Sequence, residues 1–326
     1  MLASVIVPTH NRKEAVERCL LSLFAQDLPA GDFEILIVDD GSTDGTAKRL
    51  AEVAEEAGRS VRVITQDHKG PAAARNAGAR EARGEVLAFL DSDTIAHSAW
   101  LREGMVPLAE AEVAGVEGRT MIPAGEGGGP FARRIQNPFG RRFLGCNLIF
   151  RKEEFERAGR FDERFGLIPF REDTDLAHRV LERGGRIAFA PAALITHPSG
   201  QGTWRTPLLQ AWRYRNDPLL FRKDWKTYLL RVDVHQIGLI SIWKPRIVLY
   251  LVYLFALPML LVTGGAWAAG ATAAALMGIL LIHLHKFAPK ETQPHEIILL
   301  FPVCALVPFV FLAAVLTGAV SGPSTR

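Results

Sequence analysis

The chain has 326 residues, with 38 lysines and arginines against 35 aspartates and glutamates, a net charge of +3 and 48% apolar side chains. So slight a charge excess excludes a protein built to coat nucleic acid, and the length suits one large domain with an extension. The three cysteines, Cys19, Cys146 and Cys304, are odd in number and far apart, which excludes a disulfide framework or a zinc spacing and fits a reducing compartment.

In chain order, the first predicted strand is Ala3–Pro8, running into Thr9-His10-Asn11-Arg12. With a strand so near the N-terminus, no cleavable signal peptide is expected. Val16, Cys19, Leu20 and Leu23 then recur on one helical face. Phe33–Val38 is the second strand, ending in Asp39-Asp40-Gly41-Ser42, and Ser42 or Thr43 is expected to cap a helix through Ala57. Val61–Thr65 is a short strand, and Gly70-Pro71 opens a helix to about Arg83. The fourth strand, Val86–Leu90, delivers Asp91-Ser92-Asp93. This rhythm predicts an α/β domain with a mostly parallel sheet covered by helices on both faces. Gly125–Pro130 is a glycine-rich loop, either a lid or a connection, and the apolar strand Ile187–Ile195 leads to His197.

The last third changes character. Trp204–Arg246 mixes tryptophan and tyrosine with arginine and lysine, the composition of amphipathic helices lying in a headgroup layer. Ile247–Ile282 is apolar and uncharged, about twice the ~20 residues that one span requires, with Gly264-Gly265 in its middle. After a polar loop at His283–Glu296, Ile297–Val320 is apolar again. The expected organisation is a catalytic domain over 1–203, an interfacial segment over 204–246 and a membrane domain over 247–326, with spans at 247–263, 266–284 and 297–318. By the positive-inside rule, the basic segment and the loop with Lys286 and Lys290 are cytoplasmic, as is the catalytic domain.

Polar clusters at the carboxyl ends of three strands describe a ligand site in an open parallel sheet. Carboxylates there suit a divalent cation such as Mg²⁺ or Mn²⁺, which binds through a carboxylate and substrate phosphates. Asp39 and Asp40 either accept hydrogen bonds from a base or ribose, or shape a strand-to-helix turn that Ser42 and Asp44 cap. Four segments carry a resemblance: Ser-Val-Ile-Val-Pro-Thr-His-Asn-Arg (4–12), Val-Asp-Asp-Gly-Ser-Thr-Asp-Gly-Thr (38–46), Gly-Pro-Ala-Ala-Ala-Arg-Asn-Ala-Gly (70–78) and Leu-Asp-Ser-Asp (90–93). In order and spacing they resemble the family 2 glycosyltransferases of the GT-A fold. The likeness continues through Gly145–Arg151, Phe161–Phe165 and Arg171–Leu176 and covers about residues 3–200.

The resemblance implies roles. Pro8, Thr9, Asn11 and Arg12 would line the nucleotide-sugar pocket, with Asp39 and Asp40 at the base and ribose. Arg75 would reach the base or phosphate. Asp91 and Ser92 would contact ribose or sugar, and Asp93 and His197 would ligate the metal. Asp173 would be the catalytic base and Glu172 would help hold the acceptor or position that base, although both also suit the first turn of a helix. The Gln201-Gly-Thr-Trp204-Arg205 order departs from that of processive synthases, so no polymerase is expected. His10 and His97 read as ordinary residues.

The expectation is therefore an inverting, metal-dependent, membrane-anchored glycosyltransferase. It would use a nucleotide sugar, UDP-linked, and act on a hydroxyl of a lipid-linked or membrane-delivered acceptor in cell-envelope glycan or glycolipid synthesis. One alternative is a polyprenyl-phosphate glycosyltransferase, whose anionic nucleophile needs no base. A nucleotidyltransferase lacks an early basic triphosphate loop. From another class, a non-catalytic nucleotide-sugar sensor or scaffold would be marked by loss of Asp93 or Asp173, and both are present.

Overall fold

A computed structural model describes residues 2–123, 131–200, 202–225, 228–229, 232, 234–237, 240–243 and 294–320, with isolated positions at 270, 274 and 277–278. The chain divides into two compact units, one drawn from Met1–Glu126 and Arg134–Ser199, the other from Gly127–Arg133 and Gly200–Gly322.

The first unit holds an eight-stranded mixed sheet in the order β3-β2-β1-β4-β7-β6-β8-β5. Its strands are β1 (Ala3–Thr9), β2 (Phe33–Asp39), β3 (Arg62–Thr65), β4 (Val86–Leu90), β5 (Ile95–Ala96), β6 (Val113–Met121), β7 (Asn147–Arg151) and β8 (Arg186–Thr196). The expected parallel pairing holds for β3, β2, β1 and β4. Beyond β4 the sheet is mixed, because β7 runs antiparallel to both β4 and β6.

Both faces of the sheet are covered, which explains why the strands read as continuous apolar runs. Successive side chains alternate between the faces. Val5, Val7, Ala88 and Leu90 pack with Leu20 and Leu23 of α1 (Lys13–Phe24) and with Leu50 and Val53 of α2 (Thr46–Glu56). Ile6, Leu87 and Phe89 face the other way, toward α3 (Pro71–Glu81) and toward Phe155, Phe161 and Leu176. The helix α2 begins later than expected. Asp44 rather than Ser42 or Thr43 meets its first turn, its Oδ1 accepting from Thr46 N at 3.0 Å, because Ser42 Oγ is turned to Asn11 N at 2.9 Å.

The small face of α3 sets how closely that helix lies on the sheet. A Cβ at Gly78 would fall 2.5 Å from Ile6 Cγ2. At the helix entrance Gly70 has φ +93° and a Cβ there would meet Gly166 O at 2.6 Å, so only glycine fits. The remaining helices of this unit are α4 (Trp100–Met105), α5 (Lys152–Arg157) and α6 (Glu172–Glu182).

The second unit contains α7 (Thr206–Trp212), α8 (Asp217–Lys223), an antiparallel hairpin of β9 (Val234–Ile237) and β10 (Ile240–Trp243), and α9 (Pro294–Val320). Within the segment 204–246 the described residues thus include strands as well as helices. Within Val234–Trp243 the β-branched residues favour a strand pair instead. Ala211 packs with Val307 and Phe311 of α9, and Tyr228 Oη donates to Asp217 Oδ2 at 2.6 Å. The glycine-rich loop and the expected spans at 247–263 and 266–284 lie outside the described residues, apart from isolated positions. The segment 297–318 falls within α9, where only some side chains are described. Over the described residues no helix is long and apolar enough to cross a membrane.

Glu34 on β2 ties three segments together. It accepts from Ser4 Oγ at 2.7 Å, Arg83 N at 2.6 Å and Arg62 Nη1 at 3.1 Å. Burial would raise its carboxyl, but these donors outweigh burial and hold it below the ordinary value. A depressed carboxyl contributes stability above the unfolded value, about 4.3, and loses it as pH falls through the folded one. Glu34→Gln is expected to lower unfolding free energy by roughly 1–3 kcal/mol at pH 7. In urea titrations the gap to wild type should narrow below about pH 4; a gap constant to pH 3 would refute the assignment.

Candidate active site

The ends of β1 and β2 form one wall. At the end of β1, Thr9 O accepts from Asp40 N at 2.9 Å, and Thr9 Oγ1 is buried without a hydrogen-bond partner among the described residues. Pro8, which lacks an N–H, pairs in register with Val38. Asn11 sits at φ +50° and locks the facing turn, its Oδ1 accepting from Thr43 N at 2.8 Å. Asp39 Oδ1 accepts from Ser42 N at 2.9 Å.

Asp40 is occupied by the protein itself. Its Oδ1 accepts from Gln66 Nε2 at 2.6 Å and Lys69 N at 2.9 Å, its Oδ2 from Gly70 N and His68 Nδ1, both at 2.8 Å. Four donors on one carboxylate fix the entrance to α3 and leave it little capacity for a ligand. His10, read from sequence as ordinary, stacks on His68 with ring centroids 3.9 Å apart and donates from Nδ1 to Asp40 O at 2.7 Å. Neither His68 nor Gln66 carries a sequence signal beyond following the third strand.

The centre of the site is Arg75 on α3, 3% exposed. Its Nη2 donates to Asp91 Oδ1 at 2.7 Å and its Nη1 to Glu172 Oε1 at 3.3 Å, with the Phe161 ring 5.4 Å away. Burial opposes the guanidinium charge, but Asp91 and Glu172 outweigh it and raise its pKa. Reciprocally, burial would raise Asp91, but Arg75 and then His197 hold it below the usual carboxylate range.

Past β4, Ser92 is buried and Asp93 reaches outward to Arg12. His197, at the end of β8, brings Nε2 to 3.5 Å from Asp93 Oδ1. Its Nδ1 lies 3.0 Å from Pro198 O. A carbonyl only accepts, so Nδ1 donates to it and Nε2 is the ring nitrogen that faces the carboxylates. Asp91, Asp93 and His197 each offer a ligand atom, all within 4.8 Å of one another.

The opposite wall is the start of α6. Arg171, at φ +83°, turns the chain so that Glu172 points inward to Arg75. Asp173 Oδ2 accepts from Gly145 N at 3.0 Å and Oδ1 from Thr174 N at 2.7 Å. Gly145 sits close against both, since a Cβ there would lie 3.3 Å from Arg75 Cζ and 3.4 Å from Asp173 Cβ. The fold thus gathers Arg75, Asp91, Asp93, Glu172, Asp173 and His197, while Asn11, Asp39 and Asp40 build the turn beside them.

Comparison with known proteins places this geometry. The profile of Glycosyl transferase family 2 matches residues 4–171. Glycosyltransferase AglE of Haloferax volcanii is 29% identical over 206 residues, 60% of this chain and 66% of that protein. Poly(ribitol-phosphate) beta-N-acetylglucosaminyltransferase TarS of Staphylococcus aureus is 35% identical over 103 residues, 32% of this chain and 18% of that one. The chain therefore spans less than two thirds of the length of these relatives. Among solved structures, mannosyltransferase PcManGT from Pyrobaculum calidifontis, in complex with GDP-Man and Mn²⁺, aligns with a TM-score of 0.59 at 20% identity, covering 97% of this chain and 86% of that one. S. aureus TarS 1–349 with UDP-GlcNAc gives 0.52 at 18%, covering 98% and 90%. At these identities the structures share the fold. The profile match runs from β1 to the turn at Arg171, more than half of the 326 residues, and the chain belongs to glycosyl transferase family 2, the enzymes that transfer sugars from nucleotide donors.

Proposed function

We propose that this protein is an inverting, metal-dependent glycosyltransferase that moves a sugar from a UDP-linked donor to a hydroxyl of a lipid-linked or membrane-delivered acceptor. The observation that carries the reading is the placement of Asp173 across Arg75 from the Asp91, Asp93 and His197 cluster. A carboxylate with both oxygens oriented by backbone N–H groups is suited to take a proton from a neutral nucleophile. An anionic phosphate nucleophile needs no such group, so a hydroxyl acceptor is favoured over a polyprenyl phosphate.

The donor set fits a divalent cation. Two carboxylates and an imidazole that turns Nε2 toward them suit Mn²⁺ or Mg²⁺, with the second shell supplied by the Pro198 carbonyl. When bound, such an ion would neutralise charge on the departing nucleoside diphosphate. PcManGT was solved with Mn²⁺. Asp39 and the unpartnered Thr9 Oγ1 would meet the nucleoside, with Pro8 and Asn11 shaping the same wall. Arg75 would keep Asp91 ionised and aimed, Ser92 would sit with Asp91 at the ribose or sugar, Thr94 would keep the turn closed by donating to Asp91 O, and Arg12 would yield Asp93 to the metal. Glu172 would hold Arg75 and thereby the base.

Membrane attachment rests on the sequence, with its uncharged stretches at 247–282 and 297–320 following the basic segment 205–246. Exposed Trp204, Leu209, Phe221 and Trp225 in the second unit are in keeping with it. The proposed location is the inner membrane with the catalytic domain on the cytoplasmic side.

The first test is a panel of nucleotide sugars with the full-length protein and Mn²⁺, reading nucleoside diphosphate release with and without membrane lipid extract. Release from one donor, raised by lipid, is expected. Binding without release from any donor would favour a nucleotide-sugar sensor. Asp173→Asn should lower kcat by about 10²–10⁴-fold with nucleotide affinity retained, and wild-type turnover would sink the base assignment. Chelation should abolish transfer and added Mn²⁺ restore it. His197→Ala should weaken Mn²⁺ binding, read by electron paramagnetic resonance, by at least about tenfold.

A further inference from the structure

Glu117 on β6 is 2% exposed, and burial pushes its carboxyl above the ordinary value. Among the described residues no lysine or arginine side chain pairs with it. Its Oε1 accepts from Asn137 Nδ2 at 2.7 Å, from Arg142 N at 2.9 Å and from Phe143 N, and its Oε2 accepts from Arg141 N at 2.6 Å. Three successive backbone N–H groups converging on one anion form the concavity that elsewhere receives a ligand. Here a side chain of the protein fills it.

The backbone so held is a strained one. Gly140, Arg141 and Phe143 have φ of +79°, +66° and +50°. Left-handed conformations at non-glycine residues persist only where the surroundings over-determine them, and they concentrate at functional sites. The segment meets α6 twice. The Phe143 ring stands edge-on to His178, with centroids 6.3 Å apart, and Gly145 N donates to Asp173 Oδ2 at 3.0 Å.

We infer that Glu117 is a positioning residue for Asp173: by gathering the N–H groups of 141–143 it fixes the loop that aims the Gly145 N–H at the Asp173 carboxylate. This rests on the reading of Asp173 as the base. Glutamine at 117 keeps the shape but replaces one acceptor oxygen with an NH₂ group, which then faces a backbone N–H donor against donor. Aspartate keeps the charge and shortens the reach.

The test uses full-length Glu117→Gln and Glu117→Asp proteins, with wild type and Asp173→Asn beside them. Thermal melting identifies folded samples. Titration with the nucleoside diphosphate and Mn²⁺ reads the donor half of the site, and initial rates at saturating donor read kcat. Glu117→Gln is expected to bind nucleotide and metal as wild type does, yet to lose about 10- to 100-fold in kcat. Glu117→Asp should fall between the two, and it serves as the folded variant if the glutamine protein does not accumulate. In the Asp173→Asn background, Glu117→Gln should lower the residual rate little further. A folded Glu117→Gln or Glu117→Asp protein with wild-type kcat would overturn the inference. So would equal losses of kcat and nucleotide affinity, or a full further loss on top of Asp173→Asn. Asp173→Asn assayed alone reports separately on the base: unchanged turnover there would defeat the reading of Asp173 itself.

Discussion

The site depends on one guanidinium kept away from water. Arg75 is buried beneath Phe161 and held by Asp91 from the end of β4 and Glu172 from the start of α6. Removing a charge of this kind from water costs several kcal/mol, which only well-placed partners offset. Loss of either carboxylate would leave an uncompensated buried charge, at about 3–5 kcal/mol. The pairing is therefore poor evidence of stability for its own sake. It joins a helix, a strand end and a second helix start, elements 16 and 97 residues apart in sequence along its two bonds, into one rigid arrangement.

Around this pair, acids that look alike in the sequence take different tasks. Asp39 and Asp40 are neighbours, yet Asp40 is enclosed by four donors while Asp39 accepts from the turn at Ser42. Asp91 faces the buried arginine and Asp93 faces Arg12 and His197, because the chain turns past β4, with Thr94 N donating to Asp91 O at 3.1 Å. Glu172 and Asp173 likewise divide, one inward to Arg75 and one toward Gly145. Environment, not residue type, separates these roles.

The parallel half of the sheet was legible because buried strands and polar strand ends leave a strong local pattern. The four motif segments lie in that half, and so do Arg75, Asp91 and Asp93, half of the six residues gathered at the site. What the sequence concealed is non-local. The antiparallel insertion of β7 between β4 and β6 has no marker in Asn147–Arg151, which reads like any short apolar strand. The part played by Gly145 depends on Arg75 and Asp173 arriving from elsewhere, and that of Glu117 on a loop about 25 residues downstream. The hairpin at Val234–Trp243 was hidden by aromatic and basic residues that suit a headgroup layer equally well.

The contact of α3 with β1 has a consequence for the charge that helix carries. A methyl group at position 78 would overlap Ile6 Cγ2, so the helix backbone lies directly on the Ile6 side chain. Arg75 is one turn of helix away, and its reach to Asp91 and Glu172 is measured from that contact. Tolerance at position 78 is thus smaller than one carbon atom. The distance between the charged groups at the centre of the site is set by an atom that position 78 does not have.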